Sequence, residues 1–183
     1  MVALLWAAAL VAAAGPVRQD SLNGGAAIAS RAAEVYRGLT AFRADFHQVI
    51  EDSMLGDLES RGRLTQSGTA KLSMQFSDPK GDALVMDGQW LWVYTPSTAP
   101  GQVIRMPLPS GPTFGPNVLA WLLEDPVKRY RISYLRSETV DGTASDVIAL
   151  SPLDPTLPFV RATLWIGRDD GLPHRVQVKE RSG

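Results

Sequence analysis

The sequence predicts an α+β fold that is mainly antiparallel β, and three features lead to this prediction. Apolar residues alternate with polar ones along much of the chain after Phe42, a period that is typical of half-buried strands. Tight turn signals such as Asp87-Gly88 separate these segments, which favours hairpins over parallel crossovers. Two helical segments each carry one apolar stripe, which must cover a sheet face. We therefore expect a curved antiparallel sheet with helices packed on it.

The predicted long helix precedes the first strand and ends near Gly38. Its apolar residues recur at helical spacing, and they are Ile28, Ala32, Val35 and Leu39. The predicted short helix covers residues 117–124, NVLAWLLE, and we expect Asp125-Pro126 to stop it. Its apolar side includes Trp121 and Leu122.

The predicted strands begin at Phe42. In the segment AKLSMQFS, residues 70–77, Leu72, Met74 and Phe76 share an apolar face. A short strand over 83–86 leads through the Asp87-Gly88 turn into the next strand. Further strands are predicted over 102–106, 130–136, 146–150, 159–166 and 175–180.

The strand after the Asp87-Gly88 turn is unusually aromatic. Side chains alternate between the two faces of a strand, so Trp90, Trp92 and Tyr94 point the same way. This face indicates either an ordinary core or a wall that contacts an apolar ligand, and the sequence leaves both open.

The composition favours one globular domain and excludes some partners. The chain has 183 residues, of which 45% are hydrophobic and 20% are charged, and its formal net charge is −1. Its 18 Lys and Arg residues are spread along the chain. A nucleic-acid partner is therefore not expected, because such binding needs a concentrated basic surface.

The N-terminus predicts export. Residues 1–14 form an apolar run too short to span a bilayer comfortably, and Ala12, Ala13 and Ala14 resemble a signal-peptidase site. We therefore expect a signal peptide over 1–14 and a single domain over 15–183. The chain contains no cysteine, so it can form no disulfide and cannot be lipidated on cysteine. The expected product is a free, soluble periplasmic protein.

No catalytic or metal-binding pattern is found in the sequence. His47 and His174 are isolated, and neither has a neighbour at a metal-ligand spacing. Ser77 and Lys80 match a Ser-x-x-Lys pattern, but Pro79 and Gly81 exclude the helix which that chemistry needs. We expect no metal, no cofactor and no enzymatic activity, and the sequence favours binding.

The segment SMQFSDPKGDALVMDGQWLWVYTP resembles the most typical segment of the LolA family, the periplasmic carriers of outer-membrane lipoproteins. Its matching positions are Leu72 and Met74, Pro79, Leu84-Val85, Asp87-Gly88, Leu91-Trp92 and Tyr94. The segment VIALSPLDPTLPFVRATLWIGRDDGLPHRVQVKERSG is similar to the Leu-x-Pro strand and final hairpin of that family. The resemblance covers nearly the whole chain.

The resemblance implies an incomplete, curved β-barrel whose concave face is closed by helices, with acyl chains held between. It also implies a monomer with three kinds of partner: acylated lipoproteins, an inner-membrane ABC transporter that loads the carrier, and an outer-membrane receptor lipoprotein that unloads it. The receptor carries a lipidated cysteine, so the absence of cysteine favours the carrier.

The chain departs from the family pattern at two places. Carriers often have a basic residue ahead of the Leu72 strand that helps to hold the lid closed, whereas this chain has Ser67-Gly68 there. The chain also ends at Gly183, where the family continues with further strands, so we expect either a truncated chain or a shorter relative.

Two alternatives to the lipoprotein carrier stay open. One keeps the fold and changes the ligand to another acylated lipid or a glycolipid. The other is a sensor domain like the related periplasmic regulators of envelope stress. For the carrier, strand parity selects the residues that would line the acyl-chain cavity: Phe46, Leu72, Met74, Phe76, Leu84, Met86, Trp90, Trp92 and Tyr94, with Trp121 and Leu122 from the short helix.

Overall fold

The chain folds into two antiparallel sheets and three helices within residues 17–51, 56–68, 70–108 and 117–181, which the computed structural model describes. The sheets do not close into a barrel. The predicted α+β fold, mainly antiparallel and with an incomplete barrel, is thereby confirmed. The signal peptide expected over residues 1–14 lies outside the described residues.

The first sheet is a six-stranded meander in which every strand pairs with its neighbour in sequence. Such a meander needs only short connections, in agreement with the predicted turns. A register shift at Arg61 and Gly62 interrupts the pairing of the second and third strands. The strands are β1 (Ala41–Ile50), β2 (Leu58–Ser67), β3 (Lys71–Asp78), β4 (Ala83–Asp87), β5 (Trp90–Tyr94) and β6 (Val103–Pro107).

The second sheet is a four-stranded meander built from the C-terminal part of the chain. Its strands are β7 (Tyr130–Val140), β8 (Thr143–Pro152), β9 (Phe159–Gly167) and β10 (Pro173–Glu180). All four were predicted, although β7 and β8 are longer than the apolar runs that indicated them.

The long helix α1 (Val17–Gly38) packs against β7 and β8. The short helix α2 (Val118–Leu122) begins after Asn117, whose side chain accepts a hydrogen bond from the backbone N–H of Ala120. Asp125-Pro126 does more than stop this helix. Pro126 is the first residue of a further short helix, α3 (Pro126–Arg129), because proline suits the first position of a helix.

The main core lies between the helices and the four-stranded sheet. Helix α1 approaches β7 closely at Gly25, where a Cβ atom would lie 2.8 Å from the backbone nitrogen of Tyr134. The fully buried residues include Leu122, Phe159 and Leu164, each with 0% of its surface exposed. The six-stranded sheet contributes little to this core, and Phe42 is its one half-buried hydrophobic residue that packs against it.

A buried polar link joins the six-stranded sheet to α1 and to the start of α2. The Gln66 side-chain amide on β2 donates hydrogen bonds to the Tyr36 hydroxyl of α1 and to the carbonyl of Gly68, both at 2.7 Å. The Tyr36 hydroxyl in turn donates to the side-chain oxygen of Asn117, 3.1 Å away, at the start of α2. This chain of bonds fixes β2 to α1 and to the start of α2.

No helix in the described part of the chain has the length and apolar character that a membrane span requires.

Candidate functional site

The six-stranded sheet has one apolar face. We call it the inner face and define it as the side of the sheet to which the Phe42 side chain points. Paired residues of neighbouring strands point to the same side of a sheet. Phe42 pairs with Gln66, and Gln66 pairs with Leu72. The same row continues through Met86, Leu91 and Met106.

A second apolar row lies beside the first on the inner face. It is formed by direct cross-strand pairs from β2 to β6, and its members are Leu64, Met74, Leu84, Val93 and Ile104. The two rows cross all the strands from β2 to β6. At the typical spacing of about 4.8 Å between strands, they form an apolar strip about 20 Å wide.

The inner face is only partly covered by the described part of the protein. Leu72 is buried, with 2% of its surface exposed, and Met74 and Leu84 are half-buried. At the edge strand, Ile104 is 54% exposed and Met106 is 43% exposed. Within the described part of the chain, the inner face is therefore an exposed apolar surface, which suits aliphatic chains.

Two phenylalanines from different strands meet across a glycine on the inner face. Phe46 pairs with Gly62, and Gly62 pairs with Phe76. The two rings pack edge to face, with their centroids 5.3 Å apart. A Cβ atom at Gly62 would lie 2.9 Å from the Phe46 ring and 2.2 Å from the carbonyl oxygen of Gln75. Only glycine allows both contacts.

The aromatic strand β5 presents its large rings to the opposite, outer face. Trp92 pairs with Val85 and Arg105, whereas the inner-face residue Met86 pairs with Leu91. The guanidinium of Arg105 lies 4.3 Å from the ring centroid of Trp90 and 5.5 Å from that of Trp92. The rings therefore form a cation–π cluster with an exposed arginine.

Asp87 fixes the β4–β5 hairpin, whose register decides which side chains of β5 lie on the inner face. Asp87 is the last residue of β4, so the two-residue connection consists of Gly88 and Gln89, one position later than the predicted Asp87-Gly88 turn. Its carboxylate accepts hydrogen bonds from the indole Nε1–H of Trp92 at 2.8 Å and from the backbone of Gln89 and Trp90. These donors lower the pKa of Asp87, and the indole of Trp92 has the largest effect.

The predicted lining residues do not form one surface. Six of them share the inner face, namely Phe46, Leu72, Met74, Phe76, Leu84 and Met86. Three lie on the outer face, namely Trp90, Trp92 and Tyr94. This separation corrects the set chosen from the sequence, because each strand alternates correctly but the parity between strands was misassigned. Ligand contact stays a prediction for the inner-face members.

Trp121 and Leu122 occupy a third place, in the core above the four-stranded sheet. Both are buried, and the ring of Trp121 packs against those of Phe159 and Tyr130, with centroid distances of 5.2 and 6.3 Å. They are core residues of the α2 region and belong to the same buried cluster as Phe159 and Tyr130.

Besides Phe42, the set chosen from the sequence left out five large apolar residues of the inner face, although a signal for two of them was present. In a hairpin with a two-residue loop, every even-numbered residue pairs with an odd-numbered residue. Met86 must therefore pair with an odd-numbered residue of β5. That rule points to Leu91 and Val93. The other missed members are Leu64, Ile104 and Met106.

The titratable side chains considered in the sequence are dispersed. His47 lies 3.1 Å from Glu59, and His174 lies 2.9 Å from Asp170. Within the described ranges, no group of three His, Cys, Asp or Glu residues is placed to hold a metal ion. Ser77 lies near the end of β3 and donates a hydrogen bond to the carbonyl of Arg61, and the residues after β3 form a turn rather than a helix.

The chain matches a family model over most of its length. Residues 37–183 match the model described as outer membrane lipoprotein carrier protein LolA. No curated protein sequence is similar enough to the chain to count as a match.

Several solved structures are similar to the chain at low sequence identity. An uncharacterized conserved protein from Thermus thermophilus has a TM-score of 0.53 and 12% identity, over 87% of this chain and 79% of that one. The MucA/MucB complex structure from Pseudomonas aeruginosa has a TM-score of 0.51 and 17% identity, over 87% and 52%. A LolA superfamily protein from Nitrosomonas europaea has a TM-score of 0.42 and 21% identity, over 87% and 73%.

Proposed function

Because the chain belongs to the LolA family of outer membrane lipoprotein carrier proteins, we propose that it carries acylated lipoproteins and holds their acyl chains on the inner face of the six-stranded sheet. The observation that carries this proposal is the apolar strip itself. It runs from the buried Leu72 to the exposed Ile104 and Met106 without a charged residue in either row.

The energy of hydrocarbon transfer supports such a site. Burying an acyl chain contributes about 0.8 kcal/mol per methylene, so a chain of about 16 carbons represents about 12 kcal/mol. An open face recovers only part of this energy because one side of the chain stays near water. A carrier benefits from that limit, since its cargo must also be released.

The side chains on the inner face suit a cargo of variable shape. Met74, Met86 and Met106 are flexible and polarizable, and they adapt to different ligands at low cost. The Phe46–Phe76 pair supplies a rigid end to the strip. We expect recognition by area and shape, with few polar contacts to the cargo.

The carrier would work in the periplasm, as a monomer and without enzymatic activity. An inner-membrane ABC transporter would load it, and an outer-membrane receptor lipoprotein would unload it. The Gln66–Tyr36–Asn117 link lies next to Ser67-Gly68, where family members often have a basic lid residue. We infer that this neutral link replaces the basic one in holding α1 and α2 to the sheet.

The direct test is transport of lipoproteins. The protein without residues 1–14 is added to spheroplasts that accumulate lipoproteins, and released cargo is measured with native mass spectrometry of the recovered protein. We expect complexes whose mass exceeds that of the protein by one acylated lipoprotein. A protein that stays empty and releases nothing would disprove the proposal.

A matched pair of substitutions tests the face that binds. Val103 and Ile104 are neighbours in β6 with similar exposure, 59% and 54%, but Ile104 is on the inner face and Val103 is on the outer face. We expect Ile104→Asn to weaken the binding of a fluorescent fatty acid about tenfold, through a loss of about 1.5 kcal/mol of apolar burial. Val103→Asn is the control and should change binding by less than about twofold.

A regulatory domain is the second candidate, and the similarity to MucB in the MucA/MucB complex favours it. In that case the chain would bind a membrane-bound regulator and move no cargo. Crosslinking in cells, combined with a count of lipoproteins at the outer membrane, distinguishes the regulatory domain from the carrier. A crosslinked regulator with unchanged lipoprotein transport in a deletion strain supports the regulatory domain.

A carrier of another lipid is distinguished by its ligand. Mass spectrometry of extracted ligand identifies a glycolipid or another acylated lipid if that is the cargo.

A further inference from the structure

The outer side of the four-stranded sheet, opposite α1 and the core, is strongly basic. We call it the basic face. Its cations come from three strands, β7, β9 and β10, and they are Arg131, Arg136, Arg161, Arg175 and Lys179. Glu138 is its one carboxylate among the described residues. The whole chain has a net charge of −1, so this concentration of positive charge is local to one sheet face.

Two of these cations oppose each other directly. Arg161 of β9 pairs in register with Lys179 of β10, and both side chains are exposed. Like charges at directly opposed positions of an antiparallel pair destabilise a sheet. Along the described ranges, no ion pair or side-chain hydrogen bond joins either residue to another group. The two cations therefore repel each other, and an anion bound between them would attract both.

The carboxylate of Glu138 does not neutralise this pair, because it is already engaged elsewhere. It accepts hydrogen bonds from Nε of Arg136 at 2.9 Å and from the indole Nε1–H of Trp165 at 3.1 Å. These two donors lower the pKa of Glu138, and the indole of Trp165 has the larger effect. Glu138 is thus paired with Arg136 beside Trp165.

A groove of about 300 Å³ connects these elements. Its walls include Arg136, Arg161, Lys179 and Trp165, together with the neutral polar side chains of Thr163 and Gln177. Thr163 pairs in register with Gln177. On the same face of the sheet, this pair is the next one after Arg161 and Lys179. The groove therefore offers three cations, a hydroxyl and an amide toward the same space. Among the described residues, Arg136 is paired with Glu138, whereas Arg161 and Lys179 have no ion-pair partner.

We propose that this groove binds a phosphate group, with the phosphoryl oxygens held between Arg161 and Lys179. The guanidinium donates paired N–H groups in the geometry that phosphate oxygens accept, and the ammonium adds a second charge. Thr163 and Gln177 would donate to the remaining oxygens. A phospholipid headgroup and a soluble phosphate ester share this chemistry. The site is separate from the inner face and does not depend on acyl-chain binding.

The test measures phosphate binding in two arms. One arm titrates the protein with inorganic phosphate and with glycerol 3-phosphate by calorimetry. The other measures cosedimentation with vesicles of phosphatidylglycerol in phosphatidylcholine. We expect binding in at least one arm, and the tighter arm identifies the source. The double variant Arg161→Gln/Lys179→Gln should bind at least about tenfold more weakly, and binding by the native protein should weaken as salt is added.

The control variant makes the same change of charge on the other sheet. Arg43→Gln/Lys71→Gln removes two exposed cations from the outer face of the six-stranded sheet and should bind phosphate as the native protein does. Phosphate should raise the thermal midpoint of the native and control proteins but not that of the Arg161/Lys179 variant. Absence of binding in both arms, equal loss in the control, or tighter binding of polyglutamate than of any phosphate compound would overturn the proposal.

Discussion

At the scale of single residues, two buried tyrosines differ in what their hydroxyls contact. Tyr36 accepts from Gln66 and donates to Asn117, so its hydroxyl is part of the link between the six-stranded sheet and the helices. The hydroxyl of Tyr130 is buried, and within the described residues it has no hydrogen-bond partner. A buried polar group without a partner costs free energy, whereas a satisfied one contributes a little.

Removal of each hydroxyl should therefore change stability in opposite directions. We expect Tyr36→Phe to lower the free energy of unfolding by about 1–2 kcal/mol, because Gln66 and Asn117 lose a partner. We expect Tyr130→Phe to raise it by up to about 1 kcal/mol. Urea denaturation of the two variants, followed by circular dichroism, measures both. Equal losses in the two variants would contradict this account.

The same tyrosines predict a loss of stability at high pH. Burial raises the pKa of Tyr36 above its ordinary value of 10.0, and it raises that of Tyr130 to about 12. The unfolded chain loses these protons near pH 10 while the folded chain retains them. The stabilisation is therefore complete below pH 10 and falls as the pH rises from 10 to about 12. Denaturation curves over this range should show the decline, with a shallower slope for Tyr130→Phe.

At the scale of elements, the β4–β5 hairpin decides which face of the sheet is apolar. Asp87 holds the connection through Trp92 and two backbone amides, and Met86 is thereby placed opposite Leu91. Both strands of this hairpin could be predicted from their own sequences. The relation between strands depends on the loop register, and a set of residues chosen strand by strand mixed the two faces.

The Phe46–Gly62–Phe76 arrangement gives a test at this scale. We expect Gly62→Ala to lower the free energy of unfolding by about 2–3 kcal/mol, because its Cβ would meet the Gln75 carbonyl at 2.2 Å and the Phe46 ring at 2.9 Å. Thermal and urea denaturation measure the change.

Gly24 provides the matched control for Gly62. It lies in α1, and a Cβ atom there would meet nothing within 4 Å. Gly24→Ala should raise stability by about 0.5–1 kcal/mol, because alanine favours a helix. A mild effect at Gly62, similar in size to that at Gly24, would mean that the sheet relaxes around the new methyl group.

At the scale of the whole molecule, the core is unevenly divided between the two sheets. Helix α1, α2 and the four-stranded sheet enclose most of the fully buried residues, such as Phe159 and Leu164. The six-stranded sheet keeps its apolar face half exposed. Because buried apolar contacts supply most of the free energy of folding, the two halves should differ in local stability.

Hydrogen exchange tests this division. Backbone amides of β8 and β9 should exchange most slowly, and those of β3 to β6 should exchange faster because local opening there exposes less apolar surface. A saturating acyl ligand at about 100 times its dissociation constant should slow exchange in β3 to β6, in line with about 2.7 kcal/mol of added stability. Slower exchange confined to β7–β10 would place the ligand elsewhere and contradict the proposed inner-face site.

The sequence by itself determined two of the three helices, most of the strands, the antiparallel class and the family resemblance. These features depend on residues close together in the chain: the alternation in Leu72, Met74 and Phe76, the turn at Asp87 and Gly88, and the helical spacing before Gly38. Local periodicity and turn chemistry are sufficient to specify them.

Only the tertiary structure decided which surfaces are formed and which are covered. It placed the β5 aromatics with Arg105 on the outer face, put Trp121 in the core, and brought Arg161 against Lys179. These outcomes depend on pairing and packing between residues far apart in the chain. A side chain's neighbours across a sheet are set by register, and its burial is set by which helix covers that sheet, so neither can be obtained from the pattern of one segment.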